Sequence, residues 1–378
     1  MAYFNNAATT YPKPAAVYKA MDEFYRHNAG SMGRGGNGEK TGTEIVAETR
    51  LMLKELLHAP NYEVIFTPTA TLALNMIIQG LLKTKIKNVY ITPFEHNAVT
   101  RVLHAHKDMT NVEVLAVNKD CTFDMERIGY QFAERQPDMV IMSHASNVIG
   151  MITPVAEVFT LAKKYNAVTV VDMAQTAGLV DFDISQAKCD FAVFAGHKTL
   201  YGPTGVSGFL MNQAIDLPTV LYGGTGVDSA NQDMPQYIPA RYEMGTPNMM
   251  AVAGLHAALS ELKKDTIAHR QQIEQKNRER LLEILNEYDF VKLVGINDEG
   301  KYVGVVSFLI DGISSDSAAQ IFKRLHIELR TGLQCAPLAH KFLGTYPAGT
   351  IRVSVGAYTQ GEDFERLKEA MDYIEENI

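Results

Sequence analysis

The chain has 378 residues, 46% of them hydrophobic and 21% charged, with a formal net charge of −8. This balance excludes a disordered chain and a membrane protein, and without clustered Lys and Arg it excludes general affinity for nucleic acid. No apolar run reaches spanning length and MAYFNNAATTYPKP shows no basic region leading into an apolar stretch, so a cytoplasmic protein is expected.

From about residue 62 the chain alternates short apolar runs with amphipathic stretches of helical length. YEVIFT, NVYIT, VEVLAV, DMVIMSH, VTVVD, FAVFAG and GVSGFLM are the candidate strands, the pattern of an α/β sheet with crossover helices. After YEVIFT, a helix is expected to open near Ala70 and Thr71, where free N–H groups, the helix dipole and the Thr71 hydroxyl suit an anion. VAEVFTLAKKYN places Val155, Val158, Phe159 and Ala162 on one helical face. From about residue 249 a single charged helix is expected to run to residue 287. Strands at VVSFLI and TIRVSVG then flank a helix around SAAQIFKRL, and an amphipathic helix, EDFERLKEAMDYIEENI, closes the chain. The expected division is a large α/β domain over residues 14–258 and a small α+β domain made of residues 259–378 with the N-terminal segment 1–13.

Cys121, Cys189 and Cys335 lie far apart, with no C-x-x-C pair, so neither a zinc site nor a disulfide framework is indicated. VTVVD ends in Asp172 and FAVFAGHK ends in Lys198, 26 residues later. Both fall at the carboxyl ends of predicted strands, where open α/β sheets bind ligands. An amine and a carboxylate together suit pyridoxal phosphate, which needs an amine for its aldehyde, an anion for its ring nitrogen and a site for its phosphate. Taken singly, Lys198 reads equally as a surface loop residue, Asp172 as a helix cap, His96 as a loop or capping histidine and Arg352 as half of a structural ion pair.

YFNNAATTYPKP, EHNA, SHASNVIG, VDMAQTAG, GHKTLYGPTG, GGTGVDS, RYEMGTPN, RTGLQCAPLAH and GTIRVSVGAYT follow one another along nearly the whole chain. Together they resemble the class V aminotransferase group of fold-type I pyridoxal phosphate enzymes, and within it the cysteine desulfurases and selenocysteine lyases. The resemblance implies a large domain with a mostly parallel seven-stranded sheet flanked by helices, plus a smaller α+β domain carrying a catalytic cysteine loop. It also implies roles for individual residues. Lys198 would bond to the cofactor, Asp172 would hold its ring nitrogen, Gln175 would donate to its ring oxygen and His96 would stack on its face. Ala70, Thr71 and His197 would serve the phosphate, and Thr225 would reach it from a neighbouring subunit, which implies a homodimer. Asn147 would lie near the ring oxygen and the substrate carboxylate, and Arg352 would clamp that carboxylate. Cys335 would be the nucleophile that takes sulfur from L-cysteine as a persulfide, leaving alanine, with Arg330 as a cation nearby.

Four positions depart from the pattern. Ala195 replaces a Ser or Thr, Thr69 a Gly or Asn, Leu72 a frequent Glu and Asn37 a frequent His. The competing expectations within the family are selenocysteine lyase activity, transamination or β-elimination on a small amino acid, and outside enzymes a cofactor-binding relative acting as a partner protein. The sequence names no sulfur acceptor.

Overall fold

The computed structural model describes residues 1–27, 41–264 and 266–377; Asn37 therefore lies outside the described residues. In chain order the elements are β1 (Ala2–Tyr3), α1 (Ala15–His27), α2 (Gly42–Leu56), β2 (Tyr62–Thr67), α3 (Ala70–Leu82), β3 (Asn88–Ile91), α4 (Asn97–Ala105), β4 (Asn111–Val114), α5 (Met125–Glu134), β5 (Met139–Ser143), α6 (Val155–Ala162), β6 (Val168–Asp172), β7 (Phe191–Ala195) and β8 (Ser207–Asn212). They continue as α7 (Met249–Lys264), α8 (Ile267–Asn286), β9 (Val291–Val294), β10 (Val305–Ile310), α9 (Ser315–Arg324), β11 (Ile327–Glu328), β12 (Arg330–Gly332), α10 (Pro337–Phe342), β13 (Thr350–Ser354) and α11 (Gly361–Asn377).

Seven strands form one sheet in the order β2-β8-β7-β6-β5-β3-β4. The run from β7 through β4 is parallel throughout, and β8 alone runs antiparallel to both its neighbours, β2 and β7. Every residue of β5 and β7 is buried, which is why they read as unbroken apolar runs: helices cover both faces. The alternation is still present in three dimensions. Val140, Met142, Ala192 and Phe194 enter the core on one face, and Met139, Ile141, Phe191 and Val193 enter the core on the other.

A second, antiparallel sheet has the order β12-β13-β10-β9, and β1 pairs in parallel with β11 beside it. Phe4, Leu285, Phe308, Phe322, Val353 and Phe364 form its core. Both sheets match the expected architecture.

Two expectations of local structure change. The stretch 249–287 is two helices, because Thr266 adopts φ +38°, which the α-helix forbids, and its side chain caps α8 by accepting from the His269 N–H. The strand read in VEVLAV stops at Val114. Beyond it the chain turns off to α5, where Gln131 Oε1 accepts from the Ala116 N–H at 2.9 Å. Among the described residues no helix is long and apolar enough to cross a membrane.

Because β3, β5, β6 and β7 are parallel, their carboxyl ends share one edge of the sheet. The segments that leave this edge carry His96, Asn147 and Lys198, and β6 itself ends in Asp172. Gly196 allows the turn into His197 and Lys198, since a Cβ there would collide with the Val206 carbonyl. The second sheet presents Arg352 on β13 and Cys335 on the loop after β12 to the same edge.

Candidate active site

A cavity of about 290 Å³ lies at this edge, and Ala70, Thr71, His96, Asn147, Asp172, Gln175, His197, Lys198, Cys335 and Arg352 all line it. Thr225 does not. It sits in the loop between β8 and α7, where its hydroxyl donates to the Val227 carbonyl at 3.3 Å.

At one end of the cavity is the N-terminus of α3. Thr69 is its N-cap, accepting from the Leu72 N–H at 3.1 Å, which accounts for Thr at that position. The N–H groups of Ala70 and Thr71 then have no intrahelical acceptor, and with the dipole they favour an anion. Leu72 packs against the apolar core behind α3. Ala195 ends β7 with no hydroxyl to offer the cavity.

Lys198 and Asp172 face the same space. Burial pushes the Lys198 amine down to about 8, partly countered by Asp172, and burial raises the Asp172 carboxyl above its usual range. The carboxylate is held in place by the Ala174 N–H at 2.9 Å. The carbonyls of His197 and Lys198 are gripped from behind by the N-terminal segment. That of His197 accepts from Lys13 Nζ at 2.7 Å and Thr9 Oγ1 at 3.0 Å, and that of Lys198 from Thr10 Oγ1 at 3.0 Å. Burial pushes Lys13 down to about 7.

His96 is both a cap and a cavity residue. Its Nδ1 accepts from the Ala98 N–H at 3.0 Å at the start of α4, which leaves the ring proton on Nε2. Burial, reinforced by Lys198, pushes its pKa down to about 4, so the ring is neutral. Next to it Glu95, fully buried, joins β3 to β5 by accepting from Thr92 Oγ1 at 2.6 Å and from the Ser143 N–H and Oγ at 2.8 Å. Burial raises this carboxyl to about 7. On the opposite wall Gln175 Nε2 donates to the Ala7 carbonyl at 2.9 Å.

Arg352 is 2% exposed and has no carboxylate partner among the described residues. Its Nη1 donates to the Asn147 carbonyl at 2.8 Å and its Nη2 to Asn5 Oδ1 at 3.2 Å, while Nε is buried without a partner. Burial, then the nearby Arg330, lowers its pKa to about 9. A buried guanidinium with an open donor is suited to an incoming carboxylate.

The loop bearing Cys335 is held tightly. Gln334 and Cys335 adopt φ of +41° and +59°, a left-handed backbone at two successive non-glycine residues. Gln334, 3% exposed, donates from Nε2 to the Thr350 carbonyl at 3.0 Å and accepts at Oε1 from His340 Nε2 at 2.8 Å. Its own carbonyl accepts from Asn147 Nδ2 at 2.7 Å, and the Cys335 carbonyl accepts from the Asn97 N–H at 2.7 Å. Arg330 Nη2 stands 3.5 Å from Cys335 Sγ. The other two cysteines are buried in apolar surroundings that raise their pKa, Cys121 to about 11 and Cys189 still further.

Residues 2–367 match the family model described as aminotransferase class-V. The chain belongs to the class V aminotransferase family. It is 30% identical to a probable cysteine desulfurase of Xylella fastidiosa, over 98% of this chain and 89% of that protein. Against a probable cysteine desulfurase of Pyrococcus abyssi the identity is 28%, over 100% of this chain and 94% of the other. The solved apo structure of a cysteine desulfurase from Thermococcus onnurineus superposes with a TM-score of 0.89 at 28% identity, covering 100% of this chain and 95% of that one.

The cofactor of this class V family is pyridoxal 5'-phosphate, and the residues present fit it. The α3 N-terminus suits the phosphate, the Lys198 amine the aldehyde and the Asp172 carboxylate the ring nitrogen. His197 Nδ1, like Arg352 Nε, is buried at the cavity with no partner. Sequence reasoning missed Lys13, Asn5, Glu95, Gln334 and His340. All five lie in or beside quoted motifs; Lys13, Asn5, Glu95 and Gln334 act through contacts distant in sequence, and His340 acts by holding Gln334.

Proposed function

We propose that the protein is a cysteine desulfurase that converts L-cysteine to L-alanine and receives the sulfur as a persulfide on Cys335. The observation that carries this reading is the placement of Cys335, alone among the three cysteines, on the cavity that Lys198, Asp172 and Arg352 also line. The printed names of the relatives agree with it.

Bound pyridoxal phosphate supplies a protonated ring that draws electrons from the substrate α-carbon. Asp172 would keep the proton on that ring nitrogen, and neutral His96 would lie beside the ring. Gln175 and Asn147 would serve the ring oxygen, and Ala70, Thr71 and His197 would hold the phosphate. Arg352 takes the substrate carboxylate through its open Nε edge, with Asn147 beside it. Lys198, whose amine is part neutral near pH 8, accepts and returns the α-proton. The Cys335 thiolate then attacks the substrate sulfur. A sulfur–sulfur bond forms, the carbon–sulfur bond breaks, and its electron pair stays with the carbon skeleton, which is protonated and leaves as alanine. Arg330 supports the negative charge on the thiolate.

The active unit in this reading is a cytoplasmic homodimer in which Thr225 completes the phosphate site of the neighbouring subunit, and a sulfur-acceptor protein discharges the persulfide. Residues 14–258 hold the cofactor, and 259–378 with 1–13 carry Cys335 and Arg352. The deciding experiment is Cys335→Ser with L-cysteine and L-selenocysteine as substrates. The variant keeps the visible absorbance of bound cofactor and loses alanine release from cysteine, and the wild type gains one sulfur on the Cys335 peptide by mass spectrometry. Full activity of Cys335→Ser on cysteine, or a persulfide on Cys121 or Cys189, overturns the proposal. Light scattering of the loaded protein tests the dimer, which an active monomer refutes.

A further inference from the structure

Cys335 lines a second cavity as well. On the other side of its loop lies an open groove of about 950 Å³, which shares only Arg330, Gln334 and Cys335 with the catalytic cavity. One wall is the face of α4 and the turn beyond it, where the spacing of Asn97, Thr100, Arg101, His104 and Lys107 aligns these side chains. The rest is largely apolar, with Leu333, Leu338 and Tyr346. Among the described residues no Asp or Glu lines the groove, although Arg101, Lys107 and Arg330 all do. Arg101 and Lys107 are exposed, and neither is joined to a carboxylate by an ion pair among the described residues.

We propose that this groove docks an acidic segment of a thiol-bearing acceptor protein, and that sulfur leaves the enzyme through it. The inference rests on the persulfide reading above. The groove has about three times the volume of the catalytic cavity and a mixed apolar and cationic lining that suits a polypeptide. Unpaired positive charge around the sulfur attracts an acidic partner and steers its approach. The acceptor thiolate attacks the outer sulfur of the persulfide. A new sulfur–sulfur bond forms on the acceptor, the bond to Cys335 Sγ breaks, and its electron pair returns Cys335 as thiolate, so no oxidant or reductant is consumed.

The test uses cofactor-loaded enzyme charged with radiolabelled cysteine and then mixed with cysteine-containing peptides of equal length flanked by Glu or by Lys. The acidic peptide should strip the label from Cys335 roughly tenfold faster at low ionic strength, and high salt should erase the difference. The double variant Arg101→Glu, Lys107→Glu should charge Cys335 normally and reverse the preference. Equal rates for the two peptides, or an unchanged preference in the variant, overturn the groove assignment. Fluorescence anisotropy of serine versions of the peptides judges docking independently of sulfur chemistry: the acidic one should lose at least roughly tenfold in affinity in the variant, and unchanged affinity overturns the proposal. Failure of the label to reach Cys335 at all, with the acidic peptide still bound selectively, refutes the desulfurase reading and leaves the acidic docking surface supported.

Discussion

Replacing Gln334 by Ala removes the side chain that holds the cysteine loop in its left-handed backbone. Two buried groups, His340 Nε2 and the Thr350 carbonyl, lose this partner. Each lost buried hydrogen bond costs about 1–3 kcal/mol, so closing the loop becomes less favourable by about 2–6 kcal/mol. Relief of the positive φ at Gln334 and Cys335 on opening is common to both proteins and cancels in this difference, which stays at about 2–6 kcal/mol. Total stability is of order 5–15 kcal/mol, so the protein should still fold. The Asn97 amide, which donates to the Cys335 carbonyl, reports loop closure directly. Its hydrogen exchange should accelerate roughly 30-fold or more, the same free energy expressed as an opening constant. Alanine release from cysteine should fall at least about tenfold, because the sulfur atoms must be held near 3–3.5 Å to react, while cofactor absorbance is retained. Unchanged exchange at Asn97 together with unchanged turnover would refute the claim that this network positions the nucleophile.

Three further outcomes follow from the cavity. Asp172→Asn should keep the fold and bind cofactor, yet slow exchange of the substrate α-hydrogen with solvent by several orders of magnitude; near-normal exchange of deuterium, followed by NMR, would remove Asp172 from its role. Burial favours the neutral form of Lys198 and brings its pKa to about 8, so covalent uptake of pyridoxal phosphate by cofactor-free protein should rise with pH up to about 8 and level off above it. A rise that continues to the ordinary lysine range near pH 10.4 would contradict this burial effect. Arg352→Lys should raise KM for cysteine by about 10- to 100-fold with a smaller change in kcat, since a point charge replaces a planar two-point donor; steady-state kinetics with an unchanged KM would argue against the carboxylate clamp.

The central sheet was legible because burial on both faces writes strands as apolar runs, and FAVFA and VTVVD each ended where a functional side chain begins. The break between α7 and α8 was hidden because KKDT contains neither Gly nor Pro, and a capping Thr does the work instead. Strand β1 is two residues long and has no pattern of its own; its partner β11 lies more than 320 residues away. Asp172 and His96 illustrate a different limit. His96 caps α4 through Nδ1 and also lines the cavity, while Asp172 lines it too but accepts the Ala174 N–H in a turn that no helix follows, so a local contact does not exclude a place on the cavity. Gln334 stood in a motif already quoted, yet its place depends on Thr350 and Asn147, which no spacing rule connects to it, and His340 enters only as the partner of Gln334.

The grip of residues 2–13 on the rest of the molecule fixes when this site can be completed during synthesis. Phe4 and Asn6 bond to the backbone of residues 328 and 354, while Thr9, Thr10 and Lys13 hold the carbonyls behind Lys198. This segment therefore cannot complete its docking until β11 and β13 have emerged, although the carbonyls of His197 and Lys198 are available earlier. A nascent chain can assemble the seven-stranded sheet before that, with Lys198 present and both Arg352 and Cys335 still untranslated. An incomplete chain therefore lacks both the nucleophile and the carboxylate clamp that the proposed sulfur transfer requires.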